Sequence, residues 1–460
     1  MYFFKPIILR FLLIYIIFLP LALAATEIDF TRFLMNYSLE ESTEDSDSFF
    51  GTQGPARLIV ARSNTNMNLK IHLNNNEIII DKTMNGEEII ELPISLIEQN
   101  IIKVSLQGVY KDKFTLRIKQ SGKVNLNVIS RIHFNTNVTD FSRTKEFFNK
   151  LGFEKLSGAP ETNTLAMAEA IGIETPTKYD GSKGGEPGGY LLHAELLGKN
   201  NFKGGVIDVI EFTIPRNDEK PYQFMNQIGM ISASLITSNI KADYEYMLSI
   251  GINFLASPKT LSDGRRFAIF QDPDGTFYKL VEGMEKTDEF NKTYIYEIGE
   301  VTFNVTDIER SEAWYKMFGF KTIKRLTNNE NIETSRGLGF SENIVNKSIF
   351  MQHQEDQSRL EFIKWIKPYE NSKPYSIPIN HPGIHRIAFA TTNIEDDVRQ
   401  LKLQGVEFIS DITPCCSGPN SSSSIVAFYD PDGIIVELAE IPFFARIFFP
   451  IILWFRGLVN

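Results

Sequence analysis

FAIFQDPDGTFYKLVE, residues Phe267–Glu282, and VAFYDPDGIIVELAE, residues Val426–Glu440, are two versions of one strand–turn–strand unit. An apolar run meets Asp-Pro-Asp-Gly, and a second run of alternating character follows. Proline fixes φ at the turn's first corner and glycine supplies a positive φ, so the tetrapeptide between two strands predicts a hairpin. Each copy closes a similar longer segment. The chain is therefore read as a repeat protein from about Arg131 to Pro442.

Four segments share the plan. The first opens with Ile132–Val138, then Thr139-Asp140, then FSRTKEFFNKLGF ending at Phe153; the third opens with Val301–Val305, then Thr306-Asp307, then IERSEAWYKMFGF ending at Phe320. An aspartate before an amphipathic run caps a helix, and the glycine after it stops one. Segments two and four start from Ile228–Asn239 and Gly383–Asn393, carry helices ending near Gly251 and Gly405, and finish in the hairpin. Each segment reads β-α-β-β-β, with modules at 131–215, 222–285, 294–370 and 380–442.

The rest of the chain differs in texture. Residues 1–24 hold Lys5 and Arg10, the apolar run Phe11–Leu21 and Ala22-Leu23-Ala24, the order of a secretory signal. Cleavage after Ala24 is favoured and an uncleaved anchor is the alternative; both place the body outside the cytoplasm, periplasmic or secreted. Residues 25–54, with EESTEDSDS at Glu40–Ser48, read as an acidic linker. Residues 55–130 carry short β-rich runs punctuated by Asn74-Asn75-Asn76 and Asn85-Gly86, as an accessory antiparallel β-sandwich requires. Residues 443–460 are apolar but interrupted by Arg446, Pro450 and Arg456, which suits an interfacial membrane helix or a last helix packed on the protein. A net charge of −10 without a basic stripe argues against nucleic acid as a partner. Cys415 and Cys416, the two cysteines of the chain, read as reduced loop thiols.

The strand-Thr-Asp-helix-Leu-Gly-Phe opening and the DPDG-x₃-E ending resemble the vicinal oxygen chelate superfamily of glyoxalases, bleomycin-resistance proteins and dioxygenases. The resemblance implies an α+β fold of four βαβββ modules in two pairs, 131–290 and 294–442, each pair curling its sheet into a cup. It also implies, for metal-dependent members, a divalent ion held by one residue from the first and one from the last strand of each module. Counting from the capping residues and hairpin glycines gives His133, Ser232 and Lys279 for the first pair and Glu300, Arg386 and Glu437 for the second, and the strands VIDVIEF and RLEFIKW of the hairpin-less modules place Asp208 and Glu361 at the equivalent positions. Strand alternation supports the register: His133, Asn135 and Asn137 share one face, as do Glu300, Thr302 and Asn304.

Lys279 would repel a cation, so the first pair reads as a degenerate partner or a metal-free pocket, although His133 and Asp208 are ligand types. In the second pair, three carboxylates need a cation, a proton or an arginine. Mn²⁺, Mg²⁺, Fe²⁺ or Zn²⁺ on Glu300, Glu361 and Glu437 is one expectation; Arg386 neutralising them in an ion-pair network is the other. His385 should face away from Arg386's side unless a one-residue bulge exchanges the two.

Three functions follow. A metal-assisted lyase, isomerase or dioxygenase would act on a small substrate with adjacent oxygens, with Glu361 or Glu437 moving a proton and Arg386, Asn304 and Lys279 contacting substrate. A metal-free cup would bind a small molecule, as bleomycin-resistance-type proteins do. The third is a non-catalytic interaction scaffold. A stable contact between Arg386 and Glu437 filling the cup would favour binding over metal catalysis.

Overall fold

A computed structural model describes residues 26–441 except 37–42, 52, 64–66, 75, 85–88, 98, 109–112, 123, 125, 200–204, 285–291, 369–377 and 416–419. The proposed signal and the apolar C-terminal segment lie outside the described residues, as does part of the Ser417–Ser424 loop. Among the described residues, no helix is long and apolar enough to cross a membrane.

The N-terminal part forms eight strands: β1 (Thr26–Asn36), β2 (Thr43–Phe50), β3 (Gly54–Ser63), β4 (Met67–Leu73), β5 (Asn76–Met84), β6 (Ile89–Leu96), β7 (Gln99–Gly108) and β8 (Lys113–Gly122). They make two antiparallel sheets of order β1-β8-β3-β6 and β2-β7-β4-β5. Leu58, Val60 and Leu116 of one sheet and Leu69, Ile71 and Val104 of the other belong to one buried apolar cluster. Most described positions of the stretch read as an acidic linker are β-structure: β1 and β2 each pair along their length. Backbone pairing in β2 outweighs a composition that is solvated in isolation, with Glu44, Ser46 and Ser48 left on the exposed side.

Module one comprises β9 (Val128–Asn137), α1 (Phe141–Lys150), β10 (Glu154–Gly158), α2 (Leu165–Ala170), β11 (Leu191–Gly198) and β12 (Val206–Ile214). Module two comprises β13 (Gly229–Thr237), α3 (Ile240–Ser249), β14 (Lys259–Thr260), β15 (Arg266–Gln271) and β16 (Phe277–Glu282). Module three comprises β17 (Ile295–Asn304), α4 (Ile308–Lys316), β18 (Phe320–Asn329), α5 (Ile332–Gly337), β19 (Val345–His353) and β20 (Arg359–Lys367). Module four comprises β21 (Gly383–Thr391), α6 (Ile394–Leu403), β22 (Thr413–Cys415), β23 (Ser423–Tyr429) and β24 (Ile435–Glu440).

The expected caps are present. The side chains of Asp140, Asn239, Asp307 and Asn393 each accept the backbone N–H three residues on, opening α1, α3, α4 and α6. Both Asp-Pro-Asp-Gly turns close with a hydrogen bond from the glycine N–H to the first aspartate's carbonyl, at 3.0 Å for Gly275 and 2.9 Å for Gly433.

The pairing of modules departs from the expected one. One eight-stranded sheet has the order β10-β11-β12-β9-β21-β24-β23-β22, joining module one to module four; the other, β14-β15-β16-β13-β17-β20-β19-β18, joins two to three. Consecutive modules therefore do not share a sheet at 131–290 or 294–442. The repeat shows which segments are alike, and it carries no information on which strand edges meet. Here β13 lies antiparallel to β17 across the short two-to-three connection, and module four returns to close against module one.

Consecutive modules touch in another way. Asp274 of module two's hairpin accepts the Thr139 N–H (2.8 Å) and hydroxyl (2.5 Å) and pairs with Arg143 at the start of module one's α1. Asp432 of module four's hairpin meets Thr306 and Arg310 of module three in the same manner, the Arg310 contact being 2.7 Å. The two most recognisable motifs of the sequence are thus the two halves of one clasp. Arg131, buried on β9, fastens the sheets to one another by donating to the carbonyls of Gly299 (3.2 Å) and Arg359 (2.8 Å).

Candidate functional site

With modules one and four sharing a sheet, four wall positions come together in a first cup: His133 on β9, Asp208 on β12, Arg386 on β21 and Glu437 on β24. Strand alternation aims them inward with Ile210 and Phe212 of β12, Ala427 of β23 and Ile435 of β24, all members of one buried apolar cluster. Met167 and Ile171, on and just after α2, belong to the same cluster, so this helix covers the cup; neither α2 nor α5 is announced by a motif.

Arg386 organises the polar floor. Its Nη1 lies 3.2 Å from Glu437 Oε2 and its Nη2 3.8 Å from Asp208 Oδ2, while Nε donates to Asn135 Oδ1 at 2.8 Å. Asn135 in turn donates to Asp208 at 2.7 Å. Burial pushes the Asp208 carboxyl up to about 7, Arg386 opposing the shift and Glu437 adding to it. Burial, with Arg386 assisting, drives the His133 imidazole down to about 3, so it is neutral. His133 Nδ1 stands 3.9 Å from Asp208, buried and without a hydrogen-bond partner. Asn163 Nδ2 is a second buried donor without one. Burial raises the Tyr190 hydroxyl to about 12, with Asn163 and Arg386 opposing the shift and Glu437 adding to it.

A second cup arises from modules two and three and holds Ser232, Lys279, Glu300 and Glu361. Lys279 Nζ bonds Thr302 Oγ1 at 2.8 Å and pairs closely with Glu361, which also accepts the Thr302 hydroxyl at 2.9 Å. Arg265 Nη2 is 3.9 Å from the other Glu361 oxygen, and its guanidinium stacks 4.5 Å over Phe350. Burial works against the Glu361 carboxylate, but Lys279 and Arg265 outweigh it and hold its pKa below the usual range. Glu300 faces Arg359, 3.3 Å away, rather than a shared metal position.

The predicted site residues come together in regrouped sets. His133 and Asp208 join Arg386 and Glu437; Lys279 joins Glu300 and Glu361. Glu300, Glu361 and Glu437 do not converge as one ligand set, because Glu437 lies in the other cup. Asn304, expected to meet substrate, is engaged instead: it donates to the carbonyls of Met225 (2.8 Å) and Gln227 (2.7 Å) and accepts from Trp365 Nε1 (2.9 Å). The β21 register shifts between Ile384 and Ile387, yet Arg386 stays in the cup while His385 meets Asn137 (2.8 Å) and the Ile379 carbonyl (2.9 Å). Cys415, expected as a reduced thiol, is disulfide-bonded and buried in the first cup's lining. Asn163, Tyr190 and Arg265 escaped the sequence reading because they lie outside the repeated positions.

The donor sets do not fit a divalent ion. Among the described residues, no three His, Cys, Asp or Glu side chains form a group able to hold one. A divalent ion about 4 Å from the Arg386 guanidinium would meet repulsion of roughly 8 kcal/mol, at about 4 per pair of unit charges for an effective dielectric of about 20.

The fold and its cups define a protein of repeated βαβββ modules on curled mixed sheets. Residues 297–438, which span modules three and four, match the sequence model of the Glyoxalase/Bleomycin resistance protein/Dioxygenase superfamily. Among solved structures it is similar to a glyoxalase I variant from Zea mays at 17% identity and TM-score 0.46, covering 68% of this chain and 92% of that one. It is also similar to a glyoxalase family protein from Bacillus cereus, at 18% identity and TM-score 0.30, covering 33% of this chain and 98% of that one. A Mn(II)-bound glyoxalase from Novosphingobium aromaticivorans shares 13% identity at TM-score 0.22, with coverage of 69% and 82% respectively. No curated protein matches the chain.

Proposed function

We propose that the protein binds a small molecule in the first cup, between modules one and four. The observation that carries this is the pair of buried, unpartnered polar atoms, His133 Nδ1 and Asn163 Nδ2, beside the Arg386–Glu437 pair. Unmatched buried polar groups cost about 1–3 kcal/mol each, and a ligand that satisfies them recovers it. The apolar wall below α2 would take the body of the ligand and the polar floor its oxygen-bearing head. The second cup, with Glu361 saturated, serves as the structural partner.

The test is protein-observed NMR with a panel of aromatic and aliphatic monocarboxylates and the matching alcohols. Hits should perturb His133 and Tyr190, and Asn163→Ala or His133→Phe should weaken them at least tenfold while Lys279→Met leaves them unchanged. Hits confined to the second cup would overturn the reading. Catalysis is a second reading, favoured by one feature: Asp208, held near neutrality beside Arg386, is placed to exchange a proton with a bound hydroxyketone. Solvent deuterium entering the α-carbon of acetoin, and ceasing in Asp208→Asn, would establish it; no incorporation above the uncatalysed rate would remove it.

The order of charge, apolar run and small residues at positions 1–24 supports export, and a disulfide-bonded Cys415 suits an oxidising compartment. The two N-terminal sheets serve as an accessory β-sandwich for spacing or interaction, and the apolar residues 443–460 as a membrane-surface contact. Fractionation of cells producing the full chain, with cleavage after Ala24 read by N-terminal sequencing, tests the export.

A further inference from the structure

We infer that each cup carries its own resident cation, Arg386 in the first and Lys279 in the second, in place of a metal ion. The inference stands apart from what the first cup binds. Four strands supply the inward wall positions of each cup, and in each set one of the four carries a positive charge: Arg386 among neutral His133, Asp208 and Glu437, then Lys279 among Ser232, Glu300 and Glu361. The basic residue comes from a different strand each time, from first strand β21 in one cup and from last strand β16 in the other. What the two cups share is therefore a charge pattern rather than a residue inherited at one repeat position.

Both cations are fixed from several sides. Arg386, 6% exposed, is held through all three of its nitrogens, by Glu437 at 3.2 Å, Asp208 at 3.8 Å and Asn135 at 2.8 Å. Lys279, 9% exposed, is held by Glu361 and by Thr302 at 2.8 Å. The companion residues are equivalent as well: Asn135 pairs with Asp208 in register as Thr302 does with Glu361, and each donates to that carboxylate. Two carboxylates facing one cavity require a positive partner, and a guanidinium or ammonium with no exchange partner supplies it permanently.

With Arg386 removed, Asp208 and Glu437 face each other beside His133 and must find another cation. Arg386→His would leave two imidazoles and two carboxylates, a donor set suited to a first-row transition metal. The experiment is Co²⁺ titration of the full-length chain, read by visible d–d absorption and by metal content after dialysis, with circular dichroism as the folding control. The wild type is expected to retain less than about 0.1 equivalents, and Arg386→His about one equivalent with absorption lost in the Arg386→His, Glu437→Gln double variant. Should Arg386→His fail to fold, Arg386→Gln serves: it should take up Co²⁺ at least tenfold more tightly than the wild type. Stoichiometric Co²⁺ in the wild type that disappears in Glu437→Gln would overturn the inference, as would a folded Arg386→His that binds none.

Discussion

At the scale of single residues, the buried titratable groups set opposite pH dependences. His133 falls from 6.5 to about 3 on burial beside Arg386. The unfolded chain therefore takes up a proton below about pH 6.5 that the folded chain refuses until about pH 3. Its contribution to stability is intact above pH 6.5 and drains away at about 1.4 kcal/mol per pH unit as the medium is acidified. Asp272 has the reverse sign. Burial raises it from 3.8 to about 7, with Oδ2 left without a hydrogen-bond partner while Oδ1 accepts the N–H groups of Asp274 and Thr276. Its contribution is present below pH 3.8 and is lost as the pH climbs through 7. Urea denaturation at about pH 5 and about pH 8 should therefore separate two variants. Relative to wild type, His133→Gln gains stability at the lower pH, and Asp272→Asn gains at the higher. Parallel behaviour of the two variants would contradict the burial of one of them.

At the scale of elements, the clasp between hairpin and helix start is made twice with different burial. Arg143, which meets Asp274, is nearly half exposed, whereas Arg310 and its partner Asp432 are buried. Losing Asp274 removes hydrogen bonds at a wet edge, worth about 1–2 kcal/mol. Losing Asp432 strands a buried guanidinium and the Thr306 hydroxyl, which costs about 3–5 kcal/mol. Asp432→Ala should therefore lower the thermal midpoint clearly more than Asp274→Ala, and equal shifts in calorimetry would show that burial does not distinguish the clasps. These elements were also the ones most legible in the sequence. Asp140, Asp307 and the two Asp-Pro-Asp-Gly turns act through neighbours in the chain, so spacing alone reveals their role. Strand alternation likewise gave His133 its face, and the count past the hairpin glycines gave the positions of Lys279 and Glu437. Helices α2 and α5 were not legible, since six-residue segments carry too few apolar repeats to register.

At the scale of the whole molecule, what the sequence hid was the partnership of sheets, and the candidate site went with it. Grouping consecutive modules put three glutamates and one arginine in one cup and Lys279 with the single acid Asp208 in the other. The observed grouping gives each cup one base among its acids. An even split of charge, one cation to two acids in each cup, was thus available in the sequence, but reading it required testing both pairings rather than accepting chain order. The pairing can be tested on fragments. Residues 222–368 contain both halves of the sheet built on β13 and β17, including the antiparallel seam between them. Residues 131–285 contain two halves of different sheets, and leave β9 and β13 each with an open edge. The first fragment should give a cooperative urea transition and a monomeric elution volume; the second, of similar length, should aggregate or unfold without cooperativity. A cooperative 131–285 together with an unfolded 222–368 would mean that the cups are built from neighbours in the chain after all, and would return Arg386 to the company of Glu300 and Glu361.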